Sequence, residues 1–119
     1  MIRITLCHLS GSRATEVEVV PVGPHAELIL GRAASAAVRF DPRLDGGVGR
    51  YHARLAPGGA GEVLLADLGS RNGTWLNGNQ VTEPTAVRTG DVLRLGQRGP
   101  EIRLSVECVA TGPGQSSSA

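Results

Sequence analysis

Apolar and polar residues alternate along several short stretches of the chain, a period of two that is typical of half-buried β-strands. Residues 2–7 (IRITLC) show this alternation at one end of the sequence, and residues 102–107 (IRLSVE) show it near the other. No window of eleven or more residues carries a helical period, so the sequence predicts an all-β fold. Further strands are predicted at residues 16–19, 26–30, 38–40, 52–56, 62–66, 75–76, 80–81 and 91–95.

Glycine and proline mark where these strands end. Seventeen glycines and seven prolines interrupt the chain, at intervals of roughly eight to twelve residues, which is the spacing of a sandwich or barrel. Residues 21–24, with a proline at each end, are expected to break the second strand. From about Thr111 the sequence is rich in Gly, Pro, Gln and Ser. We therefore expect one domain over residues 1–109 and a flexible tail or linker over 110–119, within a larger multidomain protein.

Composition narrows the functional classes. Of the 119 residues, 40% are hydrophobic but only 3% are aromatic, so the core should be aliphatic. A formal net charge of +1 argues against nucleic acid or a membrane surface as partner. No stretch has the length of a membrane span or the pattern of a signal peptide, which favours a cytoplasmic location. All twelve basic residues are arginine, which a GC-rich bacterial genome explains most simply, although guanidinium groups also suit phosphate.

The sequence contains no pattern of catalytic or metal-binding residues. His8, His25 and His52 are far apart, and no nucleophile elbow, carboxylate pair or lysine-containing phosphate loop is present. Cys7 and Cys108 lack metal-ligand spacing and are read as free thiols, with a disulfide between terminal strands as the less favoured alternative. We therefore expect no enzyme activity, no cofactor and no metal.

The segment from Leu68 to Gly78 (LGSRNGTWLNG) contains two Asn-Gly pairs, which are strong turn signals. By itself it predicts a pair of hairpin turns. Two other short arginine-bearing segments, LGR at 30–32 and VGRYHARL at 48–55, are also predicted at strand ends. Arginines, backbone N–H groups and an asparagine that converge on one rim of a sandwich would form an anion site with a peptide-like neighbour.

Taken in order, GR, VxRxHARL, DLGSRNGTWLNG and TGDVLRLG resemble the forkhead-associated (FHA) domain family over about residues 2–109. The resemblance implies an eleven-stranded antiparallel β-sandwich that binds phosphothreonine-containing peptides through loops at one end, without catalysis. The implied partner is a phosphothreonine-containing protein or peptide.

The resemblance also implies roles for individual residues. Arg32 matches the arginine that contacts the phosphate, and Asn72 matches the asparagine that hydrogen-bonds the peptide main chain. Arg71, at a variable position, is a candidate for a further contact to the phosphate or the peptide. Two of the supporting residues are Gly31, which would place Arg32, and His52, which would brace the loops. Ser70, Gly73 and Thr74 would shape one loop, and Trp75 would be a packing anchor. Without the resemblance, Arg32 is a surface residue and Asn72 a turn former.

Gly49 departs from the family pattern, which usually has a serine that donates a hydrogen bond to the phosphate. Losing a hydrogen bond of about 1.5–3 kcal/mol to a charged group weakens binding by roughly 10- to 100-fold. Arg50, Arg71 or the amide of Gly49 itself could replace the contact, and the glycine could reflect a φ that serine cannot adopt.

In the loop at 41–48, two aspartates would either repel a phosphate or orient Arg43 and Arg50. Two functions follow: a phosphothreonine reader, weakened or altered at Gly49, and a phospho-independent interaction or assembly module.

Overall fold

Eleven strands form the fold in a computed structural model that describes residues 2–23, 27–59 and 61–108. The strands are β1 (Ile2–His8), β2 (Val17–Val22), β3 (Leu28–Gly31), β4 (Val38–Arg39), β5 (Ala53–Pro57), β6 (Val63–Asp67), β7 (Thr74–Leu76), β8 (Asn79–Gln80), β9 (Thr85–Val87), β10 (Val92–Leu95) and β11 (Glu101–Cys108). No helix occurs in the part of the chain that the structure describes, and none there could span a membrane.

The strands lie in two sheets, which confirms the predicted sandwich. One sheet has the order β2-β1-β11-β10-β7-β8, and the other has the order β4-β3-β5-β6-β9. The pairings are antiparallel except for β3 with β4, which run parallel. This exception places the end of β4 beside the end of β3, so the loops that follow both strands lie together.

The core is aliphatic, as the composition predicts. Alternate residues of long strands such as β1 and β11 point inward, because side chains change face at every step along a strand. Ile4, Leu6 and Leu104 of the first sheet are fully buried, as are Leu30 and Leu55 of the second. Phe40 is the largest fully buried side chain in the described residues. Burying each large aliphatic side chain contributes about 1.5–3 kcal/mol to folding, which makes the sandwich a rigid support for its loops.

Two local predictions were incomplete. Pro21 lies inside β2 rather than breaking it, and β2 is an edge strand, where a missing N–H removes no hydrogen bond of the sheet. The strand at Thr85–Val87 was missed because three residues are too few to show a period. The Asn77-Gly78 pair forms the predicted two-residue hairpin between β7 and β8, with both φ angles positive at 52° and 83°.

The two cysteines lie on neighbouring strands but far apart along them. Cys7 faces Arg103 and Cys108 faces Ile2, five residues away along the ladder. At a rise of about 3.3 Å per residue this separation excludes a disulfide, and Cys7 is free and half-buried.

Pro24, His25 and the predicted tail at 110–119 lie outside the described residues. The described residues contain no group of three His, Cys, Asp or Glu side chains that could hold a metal ion.

Candidate functional site

Residues 47–49 connect the loops at one end of the sandwich, and we call them the 47–49 segment. Its three successive carbonyl groups each accept a hydrogen bond. The Gly47 carbonyl accepts from Nδ2 of Asn72 at 2.8 Å, the Val48 carbonyl from Nε of Arg32, and the Gly49 carbonyl from the Arg32 amide at 3.0 Å. Consecutive Cα atoms are about 3.8 Å apart. The structure therefore brings Arg32, Gly49 and Asn72 together, although they are far apart in sequence.

Arg32 is held at both its backbone and its side chain. Its amide and Nε bind the 47–49 segment, and its own carbonyl accepts a bond of 3.4 Å from Arg39 Nε. Within the described residues, the two terminal guanidinium nitrogens of Arg32 have no hydrogen-bond partner, and the side chain is only partly buried. A guanidinium fixed through Nε presents its remaining N–H groups in a defined direction, which suits an anion with several oxygens.

Gly31 allows the β3 end and the β4–β5 loop to approach each other this closely. A Cβ at position 31 would overlap the carbonyl oxygen of Arg50 and lie 2.6 Å from its carbonyl carbon. The neighbouring amide of Ala33 donates to this same carbonyl at 3.1 Å, so the carbonyl is not free to move away. The close approach therefore requires glycine, and it sets the position of Arg32.

Asp67 organises the loop that carries Asn72, a role that the sequence analysis missed. Its carboxylate accepts bonds from the amides of Gly69 and Ser70, both at 3.0 Å, and from the hydroxyls of Ser70 and Thr74. Burial acts to raise the pKa of Asp67, but the bonds from Ser70 and Thr74 outweigh it and leave the pKa below its ordinary value. The local signal was present, because an aspartate side chain commonly accepts the backbone N–H two residues further on in a turn.

Ser70, Gly73 and Thr74 make further contacts within this loop. The Ser70 hydroxyl accepts the Gly73 amide at 3.0 Å, and Thr74 is buried with its hydroxyl 2.7 Å from Asp67. Gly73 has a φ of 83°, and a Cβ there would lie 2.8 Å from the Trp75 ring. The ring of Trp75, which is half-buried, packs under the Arg94 guanidinium, with 5.1 Å between Cζ and the ring centroid.

His52 is fully buried and links two loops from behind. Its Nδ1 accepts the Gly49 amide at 2.9 Å, and its Nε2 lies 2.7 Å from the Gly73 carbonyl, to which it donates. These partners fix the neutral form with the proton on Nε2. Burial lowers the pKa of His52 below its ordinary value, and the Gly73 bond and the Asp67 charge, which act to raise it, are outweighed.

This pKa shift predicts a loss of stability on mild acidification. A histidine whose folded pKa lies below its unfolded value of about 6.5 stabilises the fold above that pH. Its contribution is lost as pH falls through the folded pKa, at up to about 1.4 kcal/mol per pH unit. We expect the free energy of unfolding, measured with urea, to decline between about pH 6.5 and 5, above the range where carboxylates titrate.

The matched variant is His52→Gln, which removes the titrating group and should flatten the profile over this range. An NMR titration of the histidine ring protons in the unmodified protein gives an independent readout, even if the variant is unstable. A His52 pKa at or above 6.5 would contradict the prediction.

Gly49 occupies a position where a Cβ atom fits. Its φ lies outside the left-handed region, and a Cβ would be 3.6 Å from Nδ1 of His52 and 3.7 Å from its Cα, which are ordinary contacts. The idea that glycine is needed there for its φ is therefore wrong. The idea that its amide is open to an oxyanion is also wrong, because that amide donates to His52.

Arg50 and Arg71 are placed differently from each other. Both side chains are exposed, and within the described residues neither guanidinium has a hydrogen bond or an ion pair. Arg71 borders a groove beside Asn72. Arg50 contributes its backbone to the contact with Gly31, and no side-chain contact draws it into the cluster around the 47–49 segment.

Within the described residues, neither aspartate of the 41–48 loop has an ion pair with an arginine, and both accept hydrogen bonds from nearby neutral groups. Asp41 accepts the amides of Arg43 and Leu44 at 2.7 and 3.1 Å, and these bonds hold its pKa below the ordinary value. Asp45 is buried and binds the amide and hydroxyl of Ser12. Both carboxylates therefore shape the loop, and Asp45 ties it to the β1–β2 connection, a contact that no local pattern signals.

Comparisons with known proteins identify the family. The FHA domain family matches residues 28–96, which is more than half of the chain and includes the three loops around the 47–49 segment. The chain belongs to the FHA domain family. FHA domains are phosphothreonine-peptide binding modules and are not an enzyme family.

Individual relatives extend the comparison. FhaB, an FHA domain-containing protein of Mycolicibacterium smegmatis, is 44% identical over 52 residues, which are 44% of this chain and 33% of that protein. The chain thus spans about a third of the length of this curated relative.

Solved structures cover most of the chain. An FHA domain from a structural and functional study of phosphothreonine-dependent FHA interactions has 34% identity and a TM-score of 0.70, with 90% of this chain and 99% of that one covered. The FHA domain of FhaA, in complex with the intracellular domain of Rv3910, has 31% identity and a TM-score of 0.65, with 87% and 99% covered. The N-terminal FHA domain of Saccharomyces cerevisiae Rad53p, in complex with a phosphothreonine peptide, shares the fold at 17% identity and a TM-score of 0.74, with 87% and 93% covered.

Proposed function

We propose that this domain recognises phosphothreonine in a partner protein and thereby mediates a protein–protein interaction in signalling. The observation that carries the proposal is the convergence of Arg32 and Asn72 on neighbouring carbonyls of the 47–49 segment. One residue supplies an oriented cationic fork, and the other supplies an amide beside it. This pairing suits a ligand that combines a phosphate with a peptide main chain.

In this proposal the terminal nitrogens of Arg32 donate to the phosphate. The Asn72 amide uses one N–H on Gly47, which leaves its second N–H and its Oδ1 for the carbonyl and amide of the peptide. Arg71 and Arg50 are candidates for the contact that the serine absent at position 49 would make. Both guanidinium groups are unpaired in the described structure, and Arg71 is the better placed because it adjoins Asn72 and borders the groove beside it.

The support of the site consists of the residues that tie the loops together. Five residues hold the loops through backbone contact or hydrogen bonds and do not present free groups to a ligand. They are Gly31, His52, Ser70, Gly73 and Thr74. A site assembled before binding costs less ordering on association, so these residues raise affinity without touching the peptide. We assign no catalytic residue, metal or cofactor to the domain, and we place it in the cytoplasm as part of a larger protein.

The alternative is a phospho-independent interaction or assembly module. Two observations favour it: position 49 lacks the serine hydroxyl, and Val17 and Val19 on the edge strand β2 are 62% and 53% exposed. Exposed apolar side chains on a sheet edge suit contact with another protein surface. Such a module would bind its partner equally well with and without phosphorylation.

The deciding experiment is a degenerate peptide library with phosphothreonine fixed at the centre, screened against the immobilised domain. The best sequences are then measured by calorimetry in phosphorylated and unphosphorylated forms. We expect binding only of the phosphorylated form, at a micromolar or weaker dissociation constant because of Gly49. If no phosphopeptide binds, or if both forms bind equally, phosphothreonine recognition is refuted and the alternative stands.

A further inference from the structure

Two successive peptide groups of the 47–49 segment present the carbonyls that bind Asn72 and the Arg32 side chain. A peptide group is planar, so a hydrogen bond that fixes its N–H also fixes the direction of its carbonyl. In the second group, which joins residues 48 and 49, the N–H donates to Nδ1 of His52 at 2.9 Å and the carbonyl accepts from Nε of Arg32. His52 therefore orients the carbonyl that holds the Arg32 guanidinium.

The first group, which joins Gly47 to Val48, is oriented by Asp45 instead. Its N–H donates to the backbone carbonyl of Asp45 at 2.9 Å and closes a four-residue turn, and its carbonyl accepts Nδ2 of Asn72 at 2.8 Å. Gly46 and Gly47, the two residues inside the turn, are exposed and have no side chain to restrain their backbone. The direction of the carbonyl that binds Asn72 therefore depends on how firmly Asp45 is held.

Asp45 is held by Ser12, which belongs to the connection between β1 and β2. Asp45 is buried, and its carboxylate accepts the Ser12 amide at 3.1 and 3.2 Å as well as the Ser12 hydroxyl. The same hydroxyl accepts the Asp41 amide at 3.3 Å, and the Asp45 amide donates to the Asp41 carbonyl at 2.9 Å. Since hydrogen bonds to a charged acceptor are the stronger kind, Ser12 fixes the start of the turn from outside the loop.

We propose that Ser12 and Asp45 are positioning residues for phosphothreonine-peptide binding, and that they act by orienting Asn72 through the Gly47 carbonyl. This inference rests on the proposed function. If the turn is not held, only a fraction of the domains present Asn72 correctly, and the dissociation constant rises as the inverse of that fraction. The β1–β2 connection would then contribute to affinity although it lies outside the three loops assigned to the site.

The first test compares the dissociation constants of Ser12→Ala, Ser12→Thr and Asp45→Ala for the best phosphothreonine peptide. We expect an increase of about threefold to tenfold in Ser12→Ala and of about tenfold or more in Asp45→Ala, since a hydrogen bond to a carboxylate contributes a factor of roughly 10 to 100. Ser12→Thr keeps the hydroxyl and should bind like the unmodified domain. Ser10→Ala is the matched control, because the Ser10 hydroxyl lies in the same connection but accepts the amide of Glu101, at 3.0 Å.

A second measurement, made without ligand, separates positioning from a general loss of structure. NMR relaxation gives order parameters for the side-chain amide of Asn72 and for Nε of Arg32, whose acceptor is held by His52. We expect the Asn72 amide to become mobile in Ser12→Ala while Arg32 Nε stays ordered. Both groups should stay ordered in Ser12→Thr and in Ser10→Ala.

Three results would overturn the inference and leave phosphothreonine recognition standing. In the first, the Asn72 amide stays ordered in both Ser12→Ala and Asp45→Ala. In the second, Arg32 Nε becomes mobile to the same extent as Asn72, which indicates loss of the whole loop. In the third, Asn72 becomes mobile but the phosphopeptide binds with unchanged affinity. If no phosphopeptide binds the unmodified domain, both proposals are overturned.

Discussion

Replacing Arg32 with alanine is expected to abolish measurable binding of a phosphothreonine peptide. Removing one partner of a hydrogen-bonded charge pair costs about 2–5 kcal/mol, or roughly 30- to 4000-fold in the dissociation constant. The loss should lie toward the upper end, because the guanidinium is held by the Val48 carbonyl and needs no ordering on binding. Calorimetry with the best phosphopeptide from the library measures the effect.

Controls separate the lost phosphate contact from a disturbed loop. Arg32→Lys keeps the charge but loses the Nε bond and the planar fork, so it should retain part of the affinity. Arg88→Ala removes an exposed arginine from the loop before β10, and this variant should bind like the unmodified domain. Urea unfolding of each variant shows whether the fold is kept. A folded Arg32→Ala domain that binds with unchanged affinity would contradict the assignment.

Gly49→Ser is expected to tighten phosphothreonine binding by roughly 10- to 100-fold, since a hydroxyl that bonds a charged phosphate contributes about 1.5–3 kcal/mol. The structure removes the main objection to this substitution, because the backbone at Gly49 suits any residue and a Cβ meets only ordinary contacts with His52. The amide at position 49 also keeps its hydrogen bond to His52, so the added side chain changes only the contacts made with the ligand.

Gly49→Ala is the matched control for this gain. It adds the same Cβ and the same restriction of the unfolded chain, worth about 0.4–1 kcal/mol of stability, but no hydroxyl. Both variants should therefore unfold at higher urea concentration, while only the serine variant binds more tightly. Equal affinity of the serine and alanine variants would show that the position does not reach the phosphate.

Much of the fold could be predicted from local patterns. Alternation at both ends of the chain predicted β1 and β11, and the Asn77-Gly78 turn was identified from two residues, because φ preferences are local properties. Thr85–Val87 was missed because a strand of three residues forms only where its neighbour β6 already offers an edge. Pro21 was read as a break because its tolerance depends on β2 being an edge strand, which is a property of the sheet.

The order and spacing of the loop motifs were enough to predict the family, and the resemblance placed Arg32, His52 and Asn72 in one proposed site. What the sequence by itself determined is therefore the all-β class, the family and the chemical types available at the site.

Only the tertiary structure decided how those groups are arranged. The 47–49 segment as a shared acceptor and the capture of Asp45 by Ser12 both join residues distant in sequence. Whether an arginine or an amide is free or already bonded depends on the partners that folding places beside it. That is why the state of the Gly49 amide and the roles of the loop aspartates could not be read from their neighbours in the chain.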